Sequence, residues 1–260
     1  MANYWTQLSI EYANQRDYLD QLYRVYPIIS GGQRDIDQSV FQTVEQEFYN
    51  QDNVRLIQAL LQLKLFPIKD SFVAYLRKDP SALERNPQTV NRICGRLYEL
   101  GLKKIYENCS QPKETNRQIG PMFRNWLHTK AIGLAPVNEK EFLSGSGNAI
   151  LDGSDKELKD FAAKMLGFKR KKGLDFVGRF NGKYVIGEAK FISDDGGHQN
   201  AQFNDAMDTL KEPVADGVVK IAVIDGVPYI KSKNKIHKEL LESDKPILSA
   251  LLLRDFLYQI

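Results

Sequence analysis

The sequence predicts an α/β (α+β) protein, helical in its first half and built on a mixed sheet in its second. Three observations carry this. Apolar residues recur at helical spacing from about residue 40 to 100. The glycine- and serine-rich stretch SGSGNAILDGSD changes the texture at about residue 144. Beyond it, β-branched and aromatic runs alternate with short helical stretches, giving an expected helical region over 1–143 and a sheet region over 144–260.

Taken in order, Val40, Phe41, Val44 and Phe48 share one helix face, and Val54 to Leu65 is a dense apolar helix stopped by Pro67. Asp70 is placed to cap a short helix carrying Phe72, Val73 and Leu76, which Asp79-Pro80 closes. Asn86-Pro87 reads as a cap followed by proline at the first helical position, with Val90, Ile93, Leu97 and Leu100 on one face and Gly101 as the stop. Residues 108–122 read as loop, with helix resuming from Phe123 to His128. Ser154 or Asp155 caps a helix buried through Leu158, Phe161, Ala162, Met165 and Leu166. Extended segments are expected at 168–171, 174–180 and 184–191, then a helix over 199–210. A strand at 218–224 should turn at Asp225-Gly226 and return over 227–230. Pro246 to Ile260 is apolar nearly all round and reads as one buried helix. From Ser154 onward the order is αβββαβ.

Composition narrows the function classes. The 36 Lys and Arg against 33 Asp and Glu leave a formal charge of only +3, and 42% apolar with 27% charged residues is an ordinary globular balance. Two cysteines and three scattered histidines make neither a disulfide framework nor a structural zinc site. The N-terminus lacks a signal-peptide apolar core, and Pro246 to Leu253 is too short to span a bilayer, so a cytoplasmic protein without membrane contact is expected. No G-x-x-x-x-G-K-[ST] pattern occurs, so no nucleotide cofactor is expected. Charge is nevertheless uneven. Residues 1–76 carry 6 basic and 9 acidic side chains, a net of −3, whereas residues 77–130 carry 11 and 5, a net of +6. Residues 164–183 hold 7 basic side chains (Lys164, Lys169, Arg170, Lys171, Lys172, Arg179, Lys183) and one acid, Asp175. Such local fields suit a polyanion, although a run like 169–172 also suits a solvated turn.

The chemistry gathers around Asp175. LDFVGRF and YVIGEAKF flank Asn181-Gly182, a strong two-residue hairpin signal. That turn sets a register in which Phe180 faces Lys183 and Asp175 faces Glu188. Residues opposed in an antiparallel pair lie on one face with Cβ atoms about 4.5–5.5 Å apart. Lys190, two residues past Glu188, shares that face. Two carboxylates this close repel unless a cation lies between them. A Mg²⁺ ion takes one or two carboxylates together with phosphate oxygens and water. The other reading is a cross-strand salt-bridge cluster on a solvated face. The apolar neighbours Ile186 and Ala189 favour a purpose beyond solvation.

Asp175, followed after twelve residues by Glu188-Ala189-Lys190, resembles the PD-(D/E)XK nuclease motif, and the αβββαβ order is similar to that superfamily's core. The stretch GLDFVGRFNGKYVIGEAKFISDDGGHQN is similar to bacterial type II restriction endonucleases, with Leu174 where the motif has proline. The resemblance covers roughly residues 154–225. It implies that Asp175, Glu188 and the backbone carbonyl of Ala189 bind Mg²⁺, that Lys190 serves the attacking water, and that double-stranded DNA is cut at a short specific sequence. A palindromic site would match a homodimer, and the region 1–143 would supply recognition or dimer contacts. Glu157 is placed for a further acid. Gln199 and His198, beyond Gly196-Gly197, and Arg117 and Arg124, flanking Gly120-Pro121, are candidate DNA contacts. Trp5 and Trp126 read as core. Two rivals remain open: a structure-selective repair nuclease of the same superfamily, and a non-catalytic DNA-binding module presenting Arg92 and Arg96 from one helix.

Overall fold

The computed structural model describes residues 2–15, 17–27, 33–112, 119–194, 196–232 and 235–260, with only the backbone of His198. The fold is mixed α/β, as the sequence predicts. It divides into two compact units, Met1–Ile28 with Thr115–Ile260, and Ile29–Glu114. This partition differs from a break at residue 143: the chain's first two helices and the described residues from 119 onward belong with the sheet.

Helices α1 (Tyr4–Ala13) and α2 (Tyr18–Val25) open the first unit. The second unit is helical: α3 (Gln38–Asn50), α4 (Asn53–Gln62), α5 (Val73–Lys78), α6 (Ala82–Arg85), α7 (Pro87–Leu100) and α8 (Leu102–Cys109). Its core joins Phe41, Val44, Leu56, Ile57, Leu60, Leu83, Ile93 and Leu97, the residues whose spacing announced the helices. Asp37 and Asp52 accept backbone N–H groups at the starts of α3 and α4. Asn86 precedes the expected proline but does not cap: its amide donates to the Ala82 carbonyl at 2.7 Å. Cys94 and Cys109 are buried free thiols, each pushed up to about 12 by burial.

The first unit continues with α9 (Ile119–His128), β1 (Pro136–Val137), α10 (Glu139–Ser144), β2 (Ala149–Leu151), α11 (Asp155–Met165), β3 (Phe176–Phe180), β4 (Lys183–Ile192), α12 (Gly197–Lys211), β5 (Val219–Gly226), α13 (Lys235–Glu242), β6 (Ile247–Leu248) and α14 (Leu253–Gln259). Among the described residues the strands form one sheet in the order β1-β2-β3-β4-β5-β6. The pairs around β3 are antiparallel, whereas β4-β5 and β5-β6 are parallel. The core gathers Phe176, Phe180, Val185 and Ile221 to Ile224 from the sheet, Phe203, Ala206 and Leu210 from α12, and Tyr18, Leu22 and Val25 from α2. Trp5 and Trp126 pack against it, as expected.

Four details differ from the expectation. The helix at 123–128 starts earlier, at Ile119. Residues 168–171 are not a strand; the third strand beside the hairpin is β2, which lies before α11. The pair Asp225-Gly226 does not turn a hairpin. Gly226 ends the parallel ladder opposite Ile192, with φ +97°, and a Cβ there would lie 2.2 Å from the Ile192 carbonyl oxygen. A 3-10 turn, Val227–Tyr229, follows in place of the returning strand. The apolar C-terminus is not one helix but β6, a 3-10 turn over Ala250–Leu252 and α14. No helix among the described residues is long and apolar enough to cross a membrane.

Candidate active site

The hairpin that positions the acids is set by its turn. Asn181 and Gly182 have φ of 50° and 77°, the left-handed values a type I′ turn requires. Phe180 pairs with Lys183 and Phe176 with Gly187, as the sequence predicts. The Asn181 amide also donates to the carbonyls of Tyr258 (3.2 Å) and Ile260 (3.0 Å), fastening the turn to the chain's end. The ladder stops at Phe176. Asp175 and Glu188 are therefore not a ladder pair, but the backbone N–H of Asp175 still donates to the Gly187 carbonyl at 3.1 Å, which keeps Asp175 against β4.

Asp175, Glu188 and Lys190 converge. Lys190 Nζ lies 2.5 Å from Glu188 Oε2 and 3.4 Å from Asp175 Oδ2, and that same Asp175 oxygen accepts the backbone N–H of Ala189 at 2.9 Å. Asp175 is 8% and Glu188 2% exposed. The cluster is thus buried, unlike the solvated salt-bridge face that the sequence left open. Burial pushes the Glu188 carboxyl up to about 8, against the pull of the Lys190 ammonium, with the Asp175 charge adding to the rise. For Lys190, burial acts downward, but the two carboxylates outweigh it and hold the ammonium above its ordinary range. Glu188 Oε1 is buried with no hydrogen-bond partner among the described residues. Around the far side of Asp175, a narrow cleft is lined by Arg124, His128, Asp152, Gly153 and Phe176. Gly120 of α9 comes so near that a Cβ would meet Asp175 Oδ1 at 3.4 Å.

A hard cation fits this donor set. Two adjoining carboxylates supply oxygens only, and the partnerless Glu188 Oε1 is an acceptor in want of a positive group. Among the described residues no cluster of three or more His, Cys, Asp or Glu side chains forms. A metal held here would rest on Asp175, Glu188, backbone carbonyls and water.

The other candidates fall differently. Arg124 borders the Asp175 cleft and pairs with Asp155 at the start of α11. Glu157 spends its carboxylate on a capping box, accepting the Ser154 backbone N–H at 2.7 Å while Ser154 caps α11. Gln199 is buried; its amide donates to Ser193 Oγ at 3.1 Å, and it presents no surface to a duplex in this conformation. Arg117 and the side chain of His198 lie outside the described residues. Arg92 and Arg96 both face Asp70, at 2.5 and 3.8 Å. Arg179, counted in the basic run, is buried and donates to the carbonyls of Phe142 (2.8 Å) and Gly147 (2.9 Å).

One group escaped the sequence reading. Asp205 of α12 accepts hydrogen bonds from Arg170 Nη2 at 2.6 Å and from Lys172, and its Oδ2 lies 3.9 Å from Lys190 Nζ. Burial raises its carboxyl, but the Lys172 and Arg170 hydrogen bonds prevail and hold it below the ordinary range. The local sequence carried no signal for it, since its place depends on how α12 packs against β4.

With a parallel-antiparallel sheet and an acid-ammonium cluster on its central hairpin in view, comparison places the chain. A sequence model of the Tsp45I type II restriction enzyme family matches residues 3–260, and the chain belongs to that family. It is thus a type II restriction endonuclease, a site-specific deoxyribonuclease. No curated protein matches it.

Proposed function

We propose that the chain is a PD-(D/E)XK nuclease that hydrolyses phosphodiester bonds of double-stranded DNA at a short specific sequence, with Mg²⁺ as cofactor and as a homodimer. The observation that carries this is the buried pairing of Asp175 with Glu188, whose Oε1 has no partner among the described residues. Asp175, Glu188 and the Ala189 carbonyl would hold the ion. Bound there, Mg²⁺ would supply Lewis acidity toward a phosphoryl oxygen and lower the pKa of a coordinated water.

The chain's own groups do the rest. Asp175 is fixed by the Ala189 N–H, so its remaining oxygen keeps a set direction. Lys190 sets positive charge beside the phosphate and hydrogen-bonds the attacking water, where charge grows in the transition state. Arg124, on the rim of the Asp175 cleft, neutralises a neighbouring phosphate when released from Asp155. The helical N-terminal region supplies recognition or dimer contacts, since a two-fold protein suits a palindromic site. A Cβ at Gly120 would make ordinary van der Waals contact with Asp175 Oδ1 at 3.4 Å, so α9 runs alongside the acids.

Digestion of unmethylated phage DNA tests the reading. Discrete fragments with Mg²⁺ and none in EDTA are the expected result. Cutting that depends on flaps or junctions, or that persists in EDTA, overturns it.

A further inference from the structure

The basic run at 169–172 takes no part in the proposed reaction. Its alternate members behave differently: Lys169 and Lys171 are exposed, whereas Arg170 and Lys172 turn toward Asp205. The segment is held on both sides. Gly173 admits no side chain, because a Cβ there would lie 2.6 Å from the Asp155 Cβ, and the Leu174 N–H donates to the Asp155 carbonyl at 3.1 Å. Arg170 fastens Asp205 in turn, donating to its carboxylate at 2.6 Å, to its backbone carbonyl at 2.8 Å and to Thr209 Oγ1 at 2.7 Å. Asp205 Oδ1 is thereby committed to Arg170. Its Oδ2 receives Lys172, and the same oxygen lies 3.9 Å from Lys190.

Two ammonium groups therefore share one carboxylate oxygen beside the candidate metal acids. Lys190 is 16% exposed, whereas Lys172 is 55% exposed and reaches solvent. Like charges repel, and only a fixed anion keeps two ammonium groups side by side. Resting on the active-site reading above, we propose that Lys172 is a further phosphate-binding residue of this site, with Asp205 as the positioning residue that holds Lys172 and Lys190 together. The phosphate of bound DNA, an anion with several acceptor oxygens, takes over part of what Asp205 Oδ2 provides. Lys172 turns to it on a flexible stem, a point charge with three donors. Arg170 keeps Asp205 in place and does not touch DNA.

The test uses the full chain and a duplex of about 30 base pairs around a mapped cleavage site. Binding is measured by gel shift in Ca²⁺ over a range of salt, and single-turnover cleavage in Mg²⁺. Loss of one phosphate contact lowers the salt slope by about one unit. Lys172→Ala should show that lower slope, roughly tenfold weaker binding at moderate salt and slower cleavage, while Lys172→Arg restores the slope. Asp205→Asn removes a negative charge near DNA, so binding holds or tightens while cleavage falls about tenfold or more. Asp205→Glu recovers part of the rate. An acid that only braces the fold gives no such split between binding and cleavage, and thermal melting shows whether the fold is intact. An unchanged slope in Lys172→Ala, or wild-type cleavage in Asp205→Asn, overturns the proposal. Glu188→Gln, measured alongside, keeps the two readings apart: if it cuts normally, the active-site assignment fails, whatever Lys172 does.

Discussion

Lys190 sits between two carboxylates on its own hairpin and a third on α12. The first two partners were legible in the sequence, because a two-residue turn fixes which residues oppose each other. Asp205 was not, since its place depends on how α12 packs against β4, a contact that local patterning does not encode. Lys190→Ala should slow the chemical step roughly 100- to 1,000-fold, the scale of losing one transition-state donor, with the Mg²⁺ midpoint within about threefold of wild type. A titration of single-turnover rate against Mg²⁺ measures both, and a large rise in the midpoint would move Lys190 from the water to the metal. Arg179 teaches the opposite lesson. It read as part of a basic face, yet its guanidinium is buried, stacked 5.0 Å over the Phe142 ring and bonded to two carbonyls. Arg179→Ala should cost about 3 kcal/mol by denaturant unfolding, since charged hydrogen bonds are worth roughly 1.5–3 kcal/mol each. A change under about 1 kcal/mol would mean that the carbonyls rehydrate freely.

The β3-β4 hairpin was predictable because turn chemistry and alternation agree. Asn181-Gly182 needs positive φ at both residues, and β3 and β4 carry the matching apolar faces. Gly182→Val should destabilise the protein by about 1–3 kcal/mol, the cost of a side chain in a left-handed conformation, and lower cleavage along with it. Unchanged stability and activity would show that the register has another origin. The same logic misled at Asp225-Gly226. Aspartate followed by glycine is a hairpin signal only when the next run returns antiparallel, and β5 instead pairs in parallel with β4 and β6. Residues 168–171 looked extended for a comparable reason, but Arg170 and Lys172 are held by side-chain bonds to α12 and make no ladder. At the C-terminus, apolar composition reported burial correctly. It could not report conformation, since a short strand, a 3-10 turn and a helix are all buried there.

Across the whole molecule, the surprise is the first segment of the chain. Helices α1 and α2 belong with the sheet, joined to it by contacts about 200 residues or more apart in sequence: Thr6 donates to the Ile247 carbonyl at 2.9 Å, and Tyr18 and Tyr26 each donate to Asp225 at 3.0 Å. Asp225 is fully buried and also accepts from Ser249 (2.5 Å) and the Ala250 N–H (3.1 Å). Burial pushes its carboxyl up to about 6, although its four donors pull the other way. The folded state therefore holds a proton that the unfolded chain releases near pH 4, and stability from this group falls as pH rises from about 4 to 6. Roughly two units at ~1.4 kcal/mol each amount to about 3 kcal/mol. Unfolding of wild type and Asp225→Asn at pH 4 and pH 7 should show the variant gaining about that much relative to wild type at the higher pH. A difference independent of pH would place the Asp225 carboxyl in its ordinary range. The proposed homodimer is read by light scattering, with about 60 kDa expected from a 29.7 kDa chain; one chain per duplex in the DNA complex, with both strands cut in one encounter, would contradict it.

In the proposed reaction, the acids of one hairpin carry the cleavage chemistry. Single-turnover cleavage by Asp175→Asn and Glu188→Gln, beside gel-shift binding of the same duplex in Ca²⁺, tests it most directly. Each variant should lose at least about 1,000-fold in rate, because each ~1.4 kcal/mol of lost transition-state stabilisation is tenfold, while binding stays within about threefold or tightens. Cleavage within about threefold of wild type in either variant would remove the chemistry from this hairpin, and joint loss of binding and cutting with the fold intact would make the cluster a brace of the sheet.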